Sequence, residues 1–347
     1  MVGTNGQAGG LIRVFQGGGD QTNPAVAAVG TNFLVVCQSG VTPTGGAVRG
    51  NWVSGDGAVA STNGFVIGPG TNQASPVLAV NGDLALVVWE DHRQQGSSGM
   101  DIYGARFSGT NVLDPIGFPI CTALGDQTTP TLACNGVNFF AAWTDQRDTN
   151  SPPHVFGTRV AHGGASLDDS GVRLGLNAAR QGEPSVACNG ADYFVAWSDH
   201  RDLSGPGIYE GRVRADGVPL DPDGLSLHTN LLEHALPAVS YGGAGQFLIV
   251  SQTTVAGTNH VVGSFLTGFE PSPLILAVEG GSSQIKVVWR SSAGLRASVS
   301  LIPRLRICWR VGGDRLYRAR RFVLFRKRFA HGHSQQIQQH LVGIVAR

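Results

Sequence analysis

Along most of this chain the apolar residues come in short runs separated by glycine, asparagine and proline. Leu86-Val87-Val88-Trp89 and Tyr193-Phe194-Val195-Ala196-Trp197 are continuous apolar stretches of strand length, the pattern of a strand buried on both faces. A shorter stretch led by proline precedes each, as in Pro130-Thr131-Leu132-Ala133. Proline is tolerated at a strand's first residue, where no ladder donor is required. Asn81-Gly82, Asn135-Gly136 and Asn189-Gly190 stand between the two stretches. The dipeptide predicts tight hairpins, because both of its positions accept positive φ.

The pattern repeats. Pro24, Pro76, Pro130, Pro184 and Pro237 are spaced by 52, 54, 54 and 53 residues. Trp89, Trp143 and Trp197 each follow their proline by 13 residues, Cys37 holds that place in the first repeat, and Ser251 stands one residue late in the fifth. A third block reads Ile102-Tyr103-Gly104, Val155-Phe156-Gly157 and Ile208-Tyr209-Glu210, closed by Arg106, Arg159 and Arg212. A fourth falls near Ile67, Ile120, Leu174 and Leu227. Four antiparallel strands in roughly 53 residues is the unit of a propeller blade. The expected fold is all-β: a β-propeller of five four-stranded blades. Its fifth blade lacks a fourth strand, and Leu11–Phe15 is expected to supply it and close the ring. The alternative is part of a six- or seven-bladed ring.

After each central tryptophan the chain reads Trp89-Glu90-Asp91-His92-Arg93, Trp143-Thr144-Asp145-Gln146-Arg147 and Trp197-Ser198-Asp199-His200-Arg201. This W-x-D-x-R, followed by I-Y-x-x-R, resembles repeats of bacterial secreted or cell-surface β-propeller proteins over residues 10–268. The resemblance implies an extracellular or cell-surface setting. Repeats one and five depart from it, with Ser39 and Thr253 where aspartate would stand. The expected role of the motif is structural: aspartate accepts backbone N–H groups and pairs with the planar fork of arginine. Ser54-Gly55-Asp56-Gly57 does not continue as a sialidase-type Asp-box. Asp221-Pro222-Asp223-Gly224 reads as a turn, since its counterparts lack the alternating oxygen ligands of a calcium loop. No metal and no cofactor is expected.

The stretches that begin at the prolines contain no titratable residue, whereas glycoside hydrolysis needs two carboxylates flanking one bond. Just before them stand Gln21, Gln73, Gln127, Gln181 and His234, with Asp20, Asp126, Glu183 and Glu233 close by. In a closed ring these converge on one mouth of the channel, where they could bind a glycan, a peptide or a cation. Alternatively, each glutamine bonds the backbone of the neighbouring blade. The expected function is a non-catalytic binding or adhesion scaffold with glycan or protein partners. A propeller glycoside hydrolase or sialidase-like enzyme is the alternative, favoured if carboxylates such as Asp126 and Glu183 lie together. A structural spacer is the third reading.

Composition changes this picture chiefly at the C-terminal end. Residues 1–290 carry 13 basic and 23 acidic side chains, whereas 291–347 carry 12 and one. The acidic propeller region argues against nucleic acid as its partner, and a monomer is expected. No apolar run approaches the roughly 18 residues of a membrane span, and Met1–Gly10 lacks the pattern of a secretory signal. Cys134 and Cys188 occupy equivalent positions and read as small apolar residues, with no zinc spacing. No disulfide framework is expected. Residues 10–268 form the expected propeller. Residues 269–294 follow as a linker and a β segment resembling the start of a fibronectin III or immunoglobulin-like domain. Residues 295–347 are expected to be an irregular basic tail, either disordered or a translated frameshift; nucleic acid or acidic lipid is the functional alternative for its arginines.

Overall fold

The computed structural model describes residues 10–267, except 18, 43–44, 69–71, 203–204, 229–233 and 256, and strand backbone at 274–281, 284–290, 296–301, 307–311 and 315–319. It comprises two compact units, Met1–Thr267 and Gly268–Arg347. No helix is long and apolar enough to cross a membrane among the described residues.

The first unit is a succession of antiparallel meanders. The first holds β1 (Gln21–Val29), β2 (Asn32–Thr42), β3 (Gly45–Ser54) and β4 (Phe65–Val66). The second holds β5 (Gln73–Asn81), β6 (Leu84–Asp91), β7 (Asp101–Ser108), β8 (Asn111–Val112) and β9 (Phe118–Cys121). A bridge between Gly46 and Gln73 joins these two. The third runs β10 (Gln127–Cys134), β11 (Phe139–Asp145), β12 (His154–Val160) and β13 (Val172–Arg173). The fourth runs β14 (Gln181–Cys188), β15 (Tyr193–Asp199), β16 (Gly207–Val213) and β17 (Leu225–His228). A three-stranded sheet follows, of β18 (His234–Gly243), β19 (Gln246–Val255) and β20 (Thr258–Leu266). The first strands β1, β5, β10, β14 and β18 pack each on the next. The fold is a β-propeller.

Successive side chains of a strand point to opposite faces, and here each face meets a different neighbour. Phe139, Ala141 and Trp143 of β11 share a core with Leu86, Val88 and Ile102 of the sheet before. Phe140 and Ala142 of the same strand enter a second core with Tyr193, Val195 and Trp197 of the sheet after. This double burial is why the central strands read as unbroken apolar runs. Stacked rings mark the junctions, Phe140 on Tyr193 at 4.8 Å and Phe194 on Phe247 at 4.6 Å. At the ends of the series the outward faces lie open: Val26 is 62% and Phe33 42% exposed, as are Val261 (79%) and Phe265 (71%) at the other end.

Several expectations are corrected. Leu11–Phe15 forms no strand on the fifth sheet; the segment lies on the first sheet. Asn51 Nδ2 donates to the Val14 carbonyl at 2.7 Å, and Gln16 N donates to the Thr62 carbonyl at 2.7 Å. The inner strands begin three residues ahead of each proline, because a bulge carries the ladder past it. Asn-Gly does not form the whole turn. In the second sheet Asn81 is the last strand residue, opposite Leu84. In the third, Cys134 pairs Phe139 across a four-residue loop, in which Asn135 Oδ1 accepts from the backbone of Val137 and Asn138.

The W-x-D-x-R residues form one compact knot per sheet. Trp89, Trp143 and Trp197 donate through Nε1 to Asp91, Asp145 and Asp199 at 2.8, 2.7 and 3.1 Å. Arg93, Arg147 and Arg201 grip the same carboxylates through Nε and Nη2 and lie 3.9–4.0 Å over the rings of Tyr103, Phe156 and Tyr209. Burial works to raise Asp91 and Asp199, but the arginine and tryptophan hydrogen bonds win and hold both below the ordinary carboxylate range. A second knot pairs Arg106 with Asp114, Arg159 with Asp168 and Arg212 with Asp221. The turn aspartates therefore hold arginine.

In the second unit β21 (Leu274–Gly281), β22 (Gln284–Arg290) and β23 (Arg296–Leu301) form a sheet, and β24 (Ile307–Val311) pairs with β25 (Arg315–Ala319). The segment expected to be irregular thus carries a hairpin. Residues 320–347 lie outside the described residues.

Asp145→Ala strands a buried indole N–H and a partly buried guanidinium. We expect a loss of about 2–3 kcal/mol in chemical denaturation. An unchanged midpoint would show that the knot contributes nothing.

Candidate functional site

The chemistry of the rim begins with a backbone constraint. The residue before a proline is pushed toward extended backbone, yet Asn23, Ser75, Thr129, Glu183 and Leu236 each precede a proline with φ of 49, 51, 50, 54 and 53°. Each sits in the bulge where the register between first and second strands shifts. Left-handed backbone at a non-glycine residue persists only where its surroundings hold it. Here hydrogen bonds from the preceding sheet do so. Ser75 N donates to Gln38 Oε1 at 3.5 Å, Thr129 N to Glu90 Oε1 at 2.6 Å, and Glu183 N to Thr144 Oγ1 at 3.1 Å. Gln38, Glu90 and Thr144 occupy the position just ahead of Ser39, Asp91 and Asp145. At the fourth junction Glu183 itself reaches across: its Oε2 accepts from Ser198 Oγ at 2.9 Å and from Leu236 N at 3.2 Å.

Two carboxylates are placed by this scheme. Glu90 is buried; desolvation raises its pKa, against the lowering influence of the Thr129 N–H and Ser75. Glu183 is exposed and anchored to three successive sheets through its N–H and its carboxylate. Between them Thr129 Oγ1 and Thr144 Oγ1 lie 2.7 Å apart. Hydrogen bonds therefore link the Glu90 carboxylate, through Thr129 and the Thr144 hydroxyl, to the backbone N–H of Glu183. Sequence reasoning passed over Glu90 as the variable x of W-x-D. The available signal was that it is the charged member of the set Glu90, Thr144 and Ser198.

The glutamines do not form an exposed rim. Gln73, Gln127 and Gln181 are fully buried, opposite Asp91, Asp145 and Asp199 in register. Gln73 Oε1 accepts from Val48 N of the preceding sheet at 3.1 Å. Gln127 Nε2 donates to the Gly125 carbonyl, and Gln181 Nε2 donates to Asp199 Oδ2, both at 2.9 Å. Gln21 is exposed and donates to the carbonyls of Gly17 and Gly19. His234 pairs with Thr253 in backbone register; its side chain, and Glu233, lie outside the described residues. Asp126 is exposed and accepts from Met100 N at 3.0 Å. Its charge adds to the upward push on Glu90 and on buried Asp101, which desolvation chiefly raises, to about 6.

The premise that the inner strands carry no carboxylate is therefore corrected. They start earlier than their prolines, and β14 includes Glu183.

No family model matches the chain, and no curated protein matches it. Among solved structures, it is similar to an α-L-arabinanase from Penicillium chrysogenum complexed with arabinobiose, at 12% identity and TM-score 0.49, over 81% of this chain and 93% of that one. It is similar to an α-L-arabinofuranosidase from Lactobacillus brevis, at 9% identity and TM-score 0.42, over 71% and 90%. An endo-arabinase from Bacteroides thetaiotaomicron matches at 10% identity and TM-score 0.42, over 74% and 96%. The expected non-catalytic binding or adhesion scaffold is corrected on the same ground as its premise: it rested on inner strands without a carboxylate, and β14 carries Glu183.

Elsewhere, Glu210 occupies the place of Gly104 and Gly157 in the repeat. It is buried, its Oε2 has no hydrogen-bond partner among the described residues, and desolvation lifts its pKa to about 8. The folded state thus keeps a proton that the unfolded chain releases near an ordinary glutamate pKa of about 4.3. Stability contributed by Glu210 is present below that value and is lost as pH rises toward 8. The melting temperature of Glu210→Gln should exceed that of the parent increasingly across this range, with the gap closing at pH 4. A gap that does not change with pH would contradict the assignment.

Proposed function

We propose that the chain is a propeller glycoside hydrolase whose acid–base pair is Glu90 and Glu183. The observation that supports this reading is that one hydrogen-bonded run joins the two residues: the Glu90 carboxylate accepts from the Thr129 N–H, the Thr129 and Thr144 hydroxyls bond each other, and Thr144 Oγ1 accepts from the backbone N–H of Glu183. Cleavage of a glycosidic bond needs a protonated acid for the leaving oxygen and an ionised carboxylate for water or for the sugar carbon. Burial fits Glu90 to hold the proton. Exposure fits Glu183 to meet water or substrate, while Ser198 and the Leu236 N–H orient its carboxylate. The partner is a glycan, and the resemblance of the W-x-D-x-R repeats supports an extracellular or cell-surface setting.

The test is turnover by the full chain on a panel of glycans and aryl glycosides, arabinans among them. Glu90→Gln and Glu183→Gln each keep an acceptor oxygen, so folding should persist while kcat/KM falls by about 10²–10⁴-fold. In the parent the rate should decline as pH rises through the elevated range of Glu90, because the acid is lost; Glu90→Gln should abolish that limb. Absence of turnover across the panel, or full activity in Glu90→Gln, would overturn the reading.

A further inference from the structure

In the second to fourth sheets one slot is filled alike, by tryptophan, aspartate and arginine over an aromatic ring. The guanidinium also donates to a carbonyl in the loop before the outermost strand: Arg93 to Ile116, Arg147 to Ser170 and Arg201 to Asp223, at 3.1, 2.7 and 2.6 Å. The next residue is a left-handed glycine pressed on the tryptophan. A Cβ at Gly117, Gly171 or Gly224 would come within 2.8, 2.7 or 2.6 Å of that ring.

The first sheet builds the same slot from different residues. Cys37 stands for tryptophan and Ser39 for aspartate. The register Cys37↔Arg49 matches Trp89↔Tyr103, so an arginine takes the place of the aromatic ring. The loop residue is Asn63, followed by left-handed Gly64. Arg49 Nη1 donates to the Asn63 carbonyl at 2.7 Å. A guanidinium thus still reaches the equivalent carbonyl, from another strand. Its carboxylate is missing, and among the described residues no carboxylate pairs with Arg49. What remains is a cavity of about 200 Å³ lined by Phe15, Gly17, Gln21, Ser39, Arg49 and Asn63.

We propose that this slot binds the carboxylate of a sugar acid, which takes the position that Asp91, Asp145 and Asp199 fill in the other sheets. The guanidinium fork matches a carboxylate in two parallel hydrogen bonds. The Ser39 hydroxyl and the amides of Gln21 and Asn63 line the same cavity and suit sugar hydroxyls, and the Phe15 ring suits the apolar face of a pyranose. The choice of a sugar rests on the hydrolase reading; the choice of a carboxylate does not.

Calorimetric titration of the full chain with D-glucuronate, D-glucose and acetate tests the proposal. Glucuronate should bind, with glucose and acetate at least about tenfold weaker. Arg49→Gln should lose at least about tenfold in affinity. Ser39→Asp should lose as much while keeping or raising the melting temperature, because it restores the internal carboxylate. Glu183→Gln should bind glucuronate as the parent does, which separates this site from the fate of the hydrolase reading. Absence of glucuronate binding, equal binding of acetate, unchanged binding in Arg49→Gln and Ser39→Asp, or lost binding in Glu183→Gln would overturn it.

Discussion

Everything at the rim depends on one backbone N–H per sheet. The bulge before each proline turns that residue into left-handed backbone, out of its own ladder. At the last four of these residues the N–H points to the preceding sheet. There it needs an acceptor, because an unpaired donor at a packed junction costs about as much as a lost hydrogen bond. Different sheets meet the need differently: with an amide at Gln38, a carboxylate at Glu90 and a hydroxyl at Thr144. At the fourth junction Glu183 supplies the acceptor, and so a carboxylate is fixed on the inner strand. The two candidate catalytic groups are thus first of all parts of the scaffold's own hydrogen bonding.

Repetition and departure divide the labour. Where the repeat is obeyed, as in the tryptophan–aspartate–arginine knots, the indole N–H and both carboxylate oxygens are taken up by internal hydrogen bonds. Where it is broken, the chemistry is unspent. Glu183 is the carboxylate among the residues before the prolines. Glu90 is the carboxylate at the x position of the three W-x-D motifs. Arg49 lines a cavity with Ser39, which stands where the other sheets have aspartate.

The propeller was legible in the chain because its junctions demand double burial. The unbroken apolar runs at Leu86–Trp89 and Tyr193–Trp197 are the direct mark of central strands with neighbours on both faces. The strand starts were less legible. Proline looks like a beginning, but a bulge lets the ladder resume three residues earlier, so Glu183, which the sequence places just before the strand, lies on β14 itself. The burial of Gln73, Gln127 and Gln181 was not legible either, because side-chain direction depends on a register shift that spacing does not encode. Arg49 was invisible because its meaning comes from cross-strand register with Cys37.

The open faces at Val26 and Phe33 and at Val261 and Phe265 bear on how the molecule comes apart. In a linear series each sheet's stability is its own plus that of its junctions. Among the described residues the inner three sheets have two packed junctions each, whereas the first and fifth have one. Opening should therefore begin at the ends and travel inward, with the amides of β19 and β20 exchanging ahead of those of β11. Glu90 and Glu183 lie on the second and fourth sheets, within the slow-opening middle. The Arg49 cavity lies on a terminal sheet, where anything that binds also holds a fraying end in place.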